Sequence, residues 1–400
     1  MDKRKLNMNI LIPSLAGGGA ERVVSELSIN HPDDVNLCIS TYSLINKAYD
    51  TGDAQLFVYD EHSSLNIFSK FLFRIKPLSI YMVYLHYLYM KQNKFDVSIS
   101  FLTHSNVLNM LISHILQIPT VVSIRNNVLE EHGFGLFSTL QKYLLRISSP
   151  YLIVNSEENK NWLVDYYRLD KDKCVCIYNP KDISFIRSQS IIPVYESFLD
   201  TDEFILLTVG RLAPQKGHLH LLRIFRHLRE VVPCRLVICG IGPLESSLKD
   251  TAMKLGILNS VYFAGFCDNP YKYMKRADIF VFTSLFEGQP NALIEALVCG
   301  CPVVSSDCDY GPREILEDGK YGLLSQKLDG KIGNPVEMLL TEAEQDMCDK
   351  ILYLLLNPDV RLKYSNLSRE CVTKFDKNII VDKYYDVFRL AISNSWKVED

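Results

Sequence analysis

Residues 279–306, IFVFTSLFEGQPNALIEALVCGCPVVSS, constrain this chain more than any other stretch. Ile279 to Thr283 is a short run of β-branched and aromatic residues, the composition of a strand buried on both faces. The turn Glu287-Gly288-Gln289-Pro290 follows, and Asn291 stands where a helix N-cap would stand. Ala292 to Cys299 is helix-forming and is stopped by Gly300 with Pro302 beyond; Val303 to Ser306 reads as the next strand. A strand, a Gly/Pro turn, a helix and another strand make a βαβ unit, which requires a parallel sheet. The turn then lies at the carboxyl end of its strand, where open α/β sheets hold ligands.

Two carboxylates flank that turn, Glu287 in the loop and Glu295 eight residues on in the helix. The N-terminus of such a helix suits a diphosphate, and a nearby carboxylate accepts hydrogen bonds from sugar hydroxyls. Taken singly, either Glu reads equally as helix-start electrostatics. A second strand, Phe204 to Val209, ends in Gly210-Arg211, with Lys216-Gly217 following. Two cations five residues apart at a strand's carboxyl end can neutralise a diphosphate, although in isolation they read as surface charges. Near the start, Ile10 to Pro13 reads as a strand, and Gly17-Gly18-Gly19 precedes a helix to about Ile29. Three glycines there let backbone approach a bulky group, or simply make a turn.

Four stretches carry a resemblance: GGGAERV at 17–23, TVGRLAPQKG at 208–217, FEGQPNALIEA at 286–296 and CDYGPREIL at 308–316. Together they resemble retaining glycosyltransferases of family four, including the E-x7-E signature at Glu287 and Glu295. The resemblance implies an α/β chain of the GT-B class, two Rossmann-like, doubly wound parallel-sheet domains facing across a cleft. It places Arg211 and Lys216 on the donor diphosphate, Glu287 at the donor sugar and Glu295 on the nucleotide ribose. Gly210, Gly288, Asn291, Ala292 and Leu293 come with that donor site, and Gly17, Gly18 and Gly19 face the donor diphosphate and the acceptor. Glu21, Arg125 and Asn126 are the implied acceptor contacts; Arg125 and Asn126, at the end of strand Thr120 to Ile124, stand where many relatives carry His. Read as residues alone, Arg125-Asn126-Asn127 is either a phosphate grip or a turn with a surface Arg. Glu287, Arg211 and Lys216 are the residues expected to act in catalysis, without a cofactor or a metal. The implied donor is a nucleotide-diphosphate sugar, with UDP favoured, and the acceptor a polyprenyl-diphosphate-linked saccharide. A sugar-nucleotide epimerase of the same fold and a non-catalytic binding partner are the rival readings.

Four hundred residues suit two domains, expected at 1–190 and 195–375, with residues from about 180 to 200 as linker and a helix near 379–393 returning to the first domain. A net charge of -4 gives no footprint for nucleic acid. Eleven scattered cysteines without a CxxC pair suggest a reduced, cytoplasmic chain, and no stretch is long and apolar enough to read as a membrane span. Asp307-Cys308-Asp309 has the form of a D-x-D metal motif, but it falls late in a doubly wound half and is not read as one. Residues 323–345 read as a surface insertion.

Residues 62–95 contain no acidic residue, while Lys70, Arg74, Lys76, Lys91 and Lys94 are basic and interleaved with Phe68, Phe71, Phe73, Tyr81, Tyr84, Tyr87 and Tyr89. One reading is a peripheral contact with an anionic membrane surface at the cytoplasmic face, in which Lys70, Arg74 and Lys76 also hold a lipid diphosphate. The other is a core helix with basic flanks.

Overall fold

A computed structural model describes residues 4–62, 80–125, 136–330, 336–337 and 339–395. The chain divides into two compact units, one formed by residues up to Pro180 together with those from Lys377 onward, the other by Lys181–Asp376.

The first unit holds β1 (Leu6–Ile12), β2 (Val35–Thr41), β3 (Gln55–Val58), β4 (Val97–Phe101), β5 (Thr120–Ile124), β6 (Tyr151–Val154) and β7 (Cys174–Cys176) in a parallel sheet of order β3-β2-β1-β4-β5-β6-β7. The chain starts in the middle, winds out to β3 and returns on the other side of β1. The switch point therefore lies between β1 and β4. Helices cover both faces, so every residue of β4 and β5 is buried, Ser98 and Ser100 included, with Ser98 Oγ donating to Asn109 Oδ1 at 2.6 Å. One face buries Ile10, Ile99 and Val121 against Ile380, Tyr384 and Phe388 of the helix Lys377–Ser395. Tyr385 Oη of that helix donates to Leu27 O at 2.8 Å.

The opposite face packs against the helix Ile80–Asn93. Met82, Tyr89 and Met90 are buried there beside Tyr59 and Phe95, and the His86 ring is fully buried. Tyr89 stacks on Phe57 at 4.1 Å between ring centroids. Residues 80–93 thus form a helix that packs on the core through Met82, Tyr89 and Met90, while Tyr81 and Tyr87 are half-buried. Tyr84 is exposed. Lys70, Arg74 and Lys76 lie outside the described residues.

The second unit holds β8 (Phe204–Val209), β9 (Cys234–Cys239), β10 (Val261–Gly265), β11 (Ile279–Phe282), β12 (Val303–Ser306) and β13 (Leu323–Ser325), parallel and in the order β10-β9-β8-β11-β12-β13. Its switch point lies between β8 and β11. Leu206, Ile238, Ile279 and Val304 of the strands pack with Leu221, Phe225 and Leu228 of the helix His218–Val231 and with Ile351 and Leu355 of the helix Glu342–Leu356. Both architectures are Rossmann-like. Among the described residues no helix is long and apolar enough to cross a membrane, and all eleven cysteines are free thiols.

Two expectations need correction. Residues 183–190 are not linker but a helix, started by Asp182, whose carboxylate accepts from Phe185 N at 2.8 Å. Ile186 is fully buried and the helix belongs to the second unit. The stretch 323–345 is not wholly an insertion, since its first three residues form β13, paired with β12 from Leu323 to Ser325. Three residues are too few to show a hydrophobic period.

Candidate active site

At the switch point of the second unit three strand-end loops are tied together by backbone. After β8, Gly210 N donates to Cys239 O at 2.9 Å and Leu212 N to Ile241 O at 3.0 Å, fixing this loop to the end of β9. On the other side, Leu285 N donates to Gln215 O at 2.8 Å and Thr283 Oγ1 to Lys216 O at 2.9 Å, fixing it to the end of β11. The glycines follow from this closeness. Gly217 has φ +62°, and a Cβ there would lie 2.0 Å from Thr283 O. Gly240 is equally closed, its Cβ position 1.9 Å from Gly210 O. No side chain fits at either position.

The charged residues converge on this scaffold. Lys216 Nζ donates to Glu287 Oε1 at 2.6 Å. The Glu287 side chain is 8% exposed and that of Lys216 21%, so the pair is partly withdrawn from water. Arg211 is exposed at the end of the same strand as Lys216. Glu287 N donates to Asp309 O at 3.1 Å, and Gly311, at φ +107°, lies so near Pro290 that a Cβ would come within 2.5 Å of its Cδ. The stretch around Cys308 thus buttresses the Glu287 turn. Asp307 pairs with Arg313 and Asp309 with Lys327, so both carboxylates of the D-x-D look-alike are engaged by cations. No cluster of three metal-binding side chains occurs among the described residues.

The helix after the turn is Asn291–Val298. Its N-cap is Pro290, extended and without a side-chain cap, so Asn291 is the first helical residue rather than the cap. A terminus without a side-chain acceptor leaves its first N–H groups to other partners. Asn291 and Ala292 are half-buried at this end, while Leu293 is fully buried and anchors the helix. Glu295 is 8% exposed and receives Lys181 Nζ on Oε1 at 2.7 Å. The sequence gave no hint of Lys181, which stands in the supposed linker 114 positions from its partner.

His218, the first residue of the helix after Gly217, is 2% exposed, and its Nδ1 has no hydrogen-bond partner. Burial, with the Lys216 charge beside it, pushes its imidazole down to about 4. Further along, Arg223 and His220 both bond Glu344 Oε1, at 2.9 and 2.8 Å. Burial opposes the Glu344 charge, but the bonds from His220, Arg223 and the Thr341 backbone outweigh it and bring the carboxyl down to about 2.

In the first unit the loop after β1 carries Gly17, Gly18 and Gly19. Gly17 has φ +123°, and Gly18 is the extended N-cap of the helix Gly19–Ile29. Glu21 folds back over this turn, its Oε2 lying 2.4 Å from where a Gly18 Cβ would stand. Arg125 does something other than the expected acceptor contact. It is 7% exposed, donates through Nε to Ser123 Oγ at 3.2 Å, bonds Asn179 Oδ1 and Tyr384 Oη, and stacks over Phe101. Its guanidinium ties the last helix to the sheet. Asn126 lies outside the described residues.

The family described as Glycosyl transferases group 1 matches residues 195–366, nearly the whole second unit. An uncharacterized glycosyltransferase of Methanocaldococcus jannaschii is 32% identical over 286 residues, covering 66% of this chain and 70% of that one. The chain belongs to the group 1 glycosyl transferases. This glycosyltransferase is also 29% identical over 387 residues to the N-acetylgalactosamine-N,N'-diacetylbacillosaminyl-diphospho-undecaprenol 4-alpha-N-acetylgalactosaminyltransferase of Campylobacter jejuni, covering 92% of this chain and 96% of that one. In fold, the glycosyltransferase is similar to Anabaena HepE crystallised with UDP, with a TM-score of 0.75 at 17% identity over 96% of this chain and 100% of that one. The architecture is GT-B.

Proposed function

We propose that this glycosyltransferase moves a hexose or N-acetylhexosamine from a nucleotide-diphosphate sugar, UDP-linked by preference, to a hydroxyl of a polyprenyl-diphosphate-linked saccharide of a bacterial surface glycan, with retention of anomeric configuration. The observation that carries the reading is the Lys216–Glu287 pair at the switch point, with Arg211 exposed beside it and a helix N-terminus following. As the sugar–oxygen bond breaks, the departing diphosphate gains negative charge, which Arg211, Lys216 and the N–H groups at Asn291 to Leu293 offset. Diphosphate binding draws the Lys216 ammonium from Glu287 and leaves that carboxylate to accept from sugar hydroxyls. Glu287 holds the sugar and is not assigned as a covalent nucleophile. The leaving phosphate takes the acceptor's proton on the same face.

The lipid-linked acceptor is supported by the name of the Campylobacter relative, and the uridine donor by the ligand of the Anabaena protein. On the acceptor side we assign Glu21 to the saccharide, with the Gly17–Gly19 loop facing both the saccharide and the donor diphosphate. Lys70, Arg74 and Lys76 are assigned to a lipid diphosphate and an anionic membrane surface.

Turnover of a panel of UDP- and GDP-sugars with lipid-linked saccharides tests the reaction. Arg211→Ala and Lys216→Ala should each lower kcat/KM at least about tenfold, roughly 1.4 kcal/mol of transition-state stabilisation. Wild-type kinetics in both variants would place the donor site elsewhere.

A further inference from the structure

Lys181 is among the largest fully buried side chains of the protein, only 1% exposed. Burying an ammonium is costly unless it is paired, and a buried ion pair is a poor means of stabilising a fold, since apolar residues of similar volume often do as well. Its presence here calls for a reason other than stability, and its partner supplies one. Lys181 Nζ lies 2.7 Å from Oε1 of Glu295, the carboxylate eight residues beyond Glu287 on the helix that opens the candidate site.

Both ends of the lysine are fixed. Its backbone N donates to Phe375 O at 2.8 Å, and Lys181 forms an isolated parallel bridge with Asp376. The Lys181 carbonyl accepts from Ile183 N at 3.0 Å, and Asp182 caps the next helix. The stem therefore starts from an immobile point. The ammonium on Oε1 sets the plane of the carboxylate. Glu295 is thereby an acceptor held in one orientation, the requirement for a selective bond to a vicinal diol.

We propose that Lys181 is a positioning residue: it orients the Glu295 carboxylate so that the site distinguishes ribose from deoxyribose in the donor nucleotide. This rests on the reading of Glu295 as the ribose contact. The residue acts through Glu295 and does not itself touch the donor.

The test compares binding of UDP and GDP with their 2′,3′-dideoxy analogues, by calorimetry on the intact protein, in wild type and in Lys181→Met, Glu295→Gln and the double variant. The double variant removes both charges and leaves no buried ion unpaired, so it tests the ribose reading if Glu295→Gln fails to fold, while Lys181→Arg tests the lysine if Lys181→Met does. Removing charge-assisted bonds should weaken ribonucleotide binding roughly tenfold while leaving the dideoxy analogue within about twofold. Lys181→Met and the double variant should both lose the discrimination, to the same extent as Glu295→Gln. Lys181→Arg, which keeps a cation, should restore part of it. If Lys181→Met keeps the wild-type discrimination, or weakens both ligands equally, Lys181 is only structural. If Glu295→Gln or the double variant leaves discrimination intact, the ribose reading of Glu295 fails, and the role of Lys181 with it.

Discussion

After β1 the chain passes through Gly17, Gly18 and Gly19, with Gly17 and Gly19 exposed and a flexible carboxylate, Glu21, as the close neighbour of Gly18. After β8 it passes from Gly210 to Gly217, hydrogen-bonded to the loops beyond β9 and β11, with Thr283 O where a Gly217 Cβ would go. Both loops leave a central strand at a switch point, and both use glycine. In the first, glycine leaves room that a side chain could in part reclaim; in the second, neighbouring backbone already fills the space. Glycine in a sequence therefore announces closeness without saying to what. The difference suits a fixed ligand group in the second unit and a more variable one in the first.

The sharpest way to break this contrast is Gly217→Ala. Its Cβ meets Thr283 O at 2.0 Å in a left-handed backbone, so the loop has to move, at a cost of about 3 kcal/mol or more. Urea unfolding should show that loss, and a loss under 1 kcal/mol would mean that the loop is not locked.

An intermediate effect comes through pH. His218 sits directly behind Gly217 and is held near 4, against an ordinary value of 6.5. Between those values the unfolded chain binds the proton and the folded one does not, so this contribution is complete above about pH 6.5 and is lost as pH falls toward 4. From pH 7 to pH 5 it amounts to about 2 kcal/mol. The stability of His218→Asn should fall less steeply over that range than that of wild type. Identical slopes would show that His218 titrates normally.

The smallest effect belongs to Gly18→Ala. Only the end of the Glu21 side chain stands in the way, and Gly18 is extended at φ -156°, so stability should change by less than about 0.5 kcal/mol. The displaced carboxylate should raise KM for the acceptor more than KM for the donor. A Gly18→Ala protein as unstable as Gly217→Ala would erase the distinction between the loops.

Much of the second unit is legible in the residues alone. Phe204–Val209, Cys234–Cys239 and Val303–Ser306 are short runs, apolar or β-branched apart from Arg235, Ser305 and Ser306, each with Gly or Pro at one end or both, and local composition suffices to bound them. Glu287, Lys216 and Arg211 are found because strand-end loops carry them. Lys181 is not, because its meaning lies in a contact 114 residues away and its neighbours Asn179-Pro180 read as punctuation. Arg125 misleads for the opposite reason: its strand-end position is that of a ligand contact, but the last helix, some 260 residues on, supplies Tyr384 to its guanidinium. Asn291 has an N-cap's chemistry and is displaced by one position because Pro290 already supplies the extended backbone a cap requires.

The division of the chain has a consequence for how the protein is made. The second unit is one continuous run, Lys181–Asp376, and can close its core as soon as that run has left the ribosome. The first unit is translated earlier but lacks Ile380, Tyr384, Tyr385 and Phe388, which fill one face of its sheet, until the final helix emerges. The part synthesised first is thus the part completed last, and until the helix Lys377–Ser395 emerges one apolar face of β1, β4 and β5 lacks its cover.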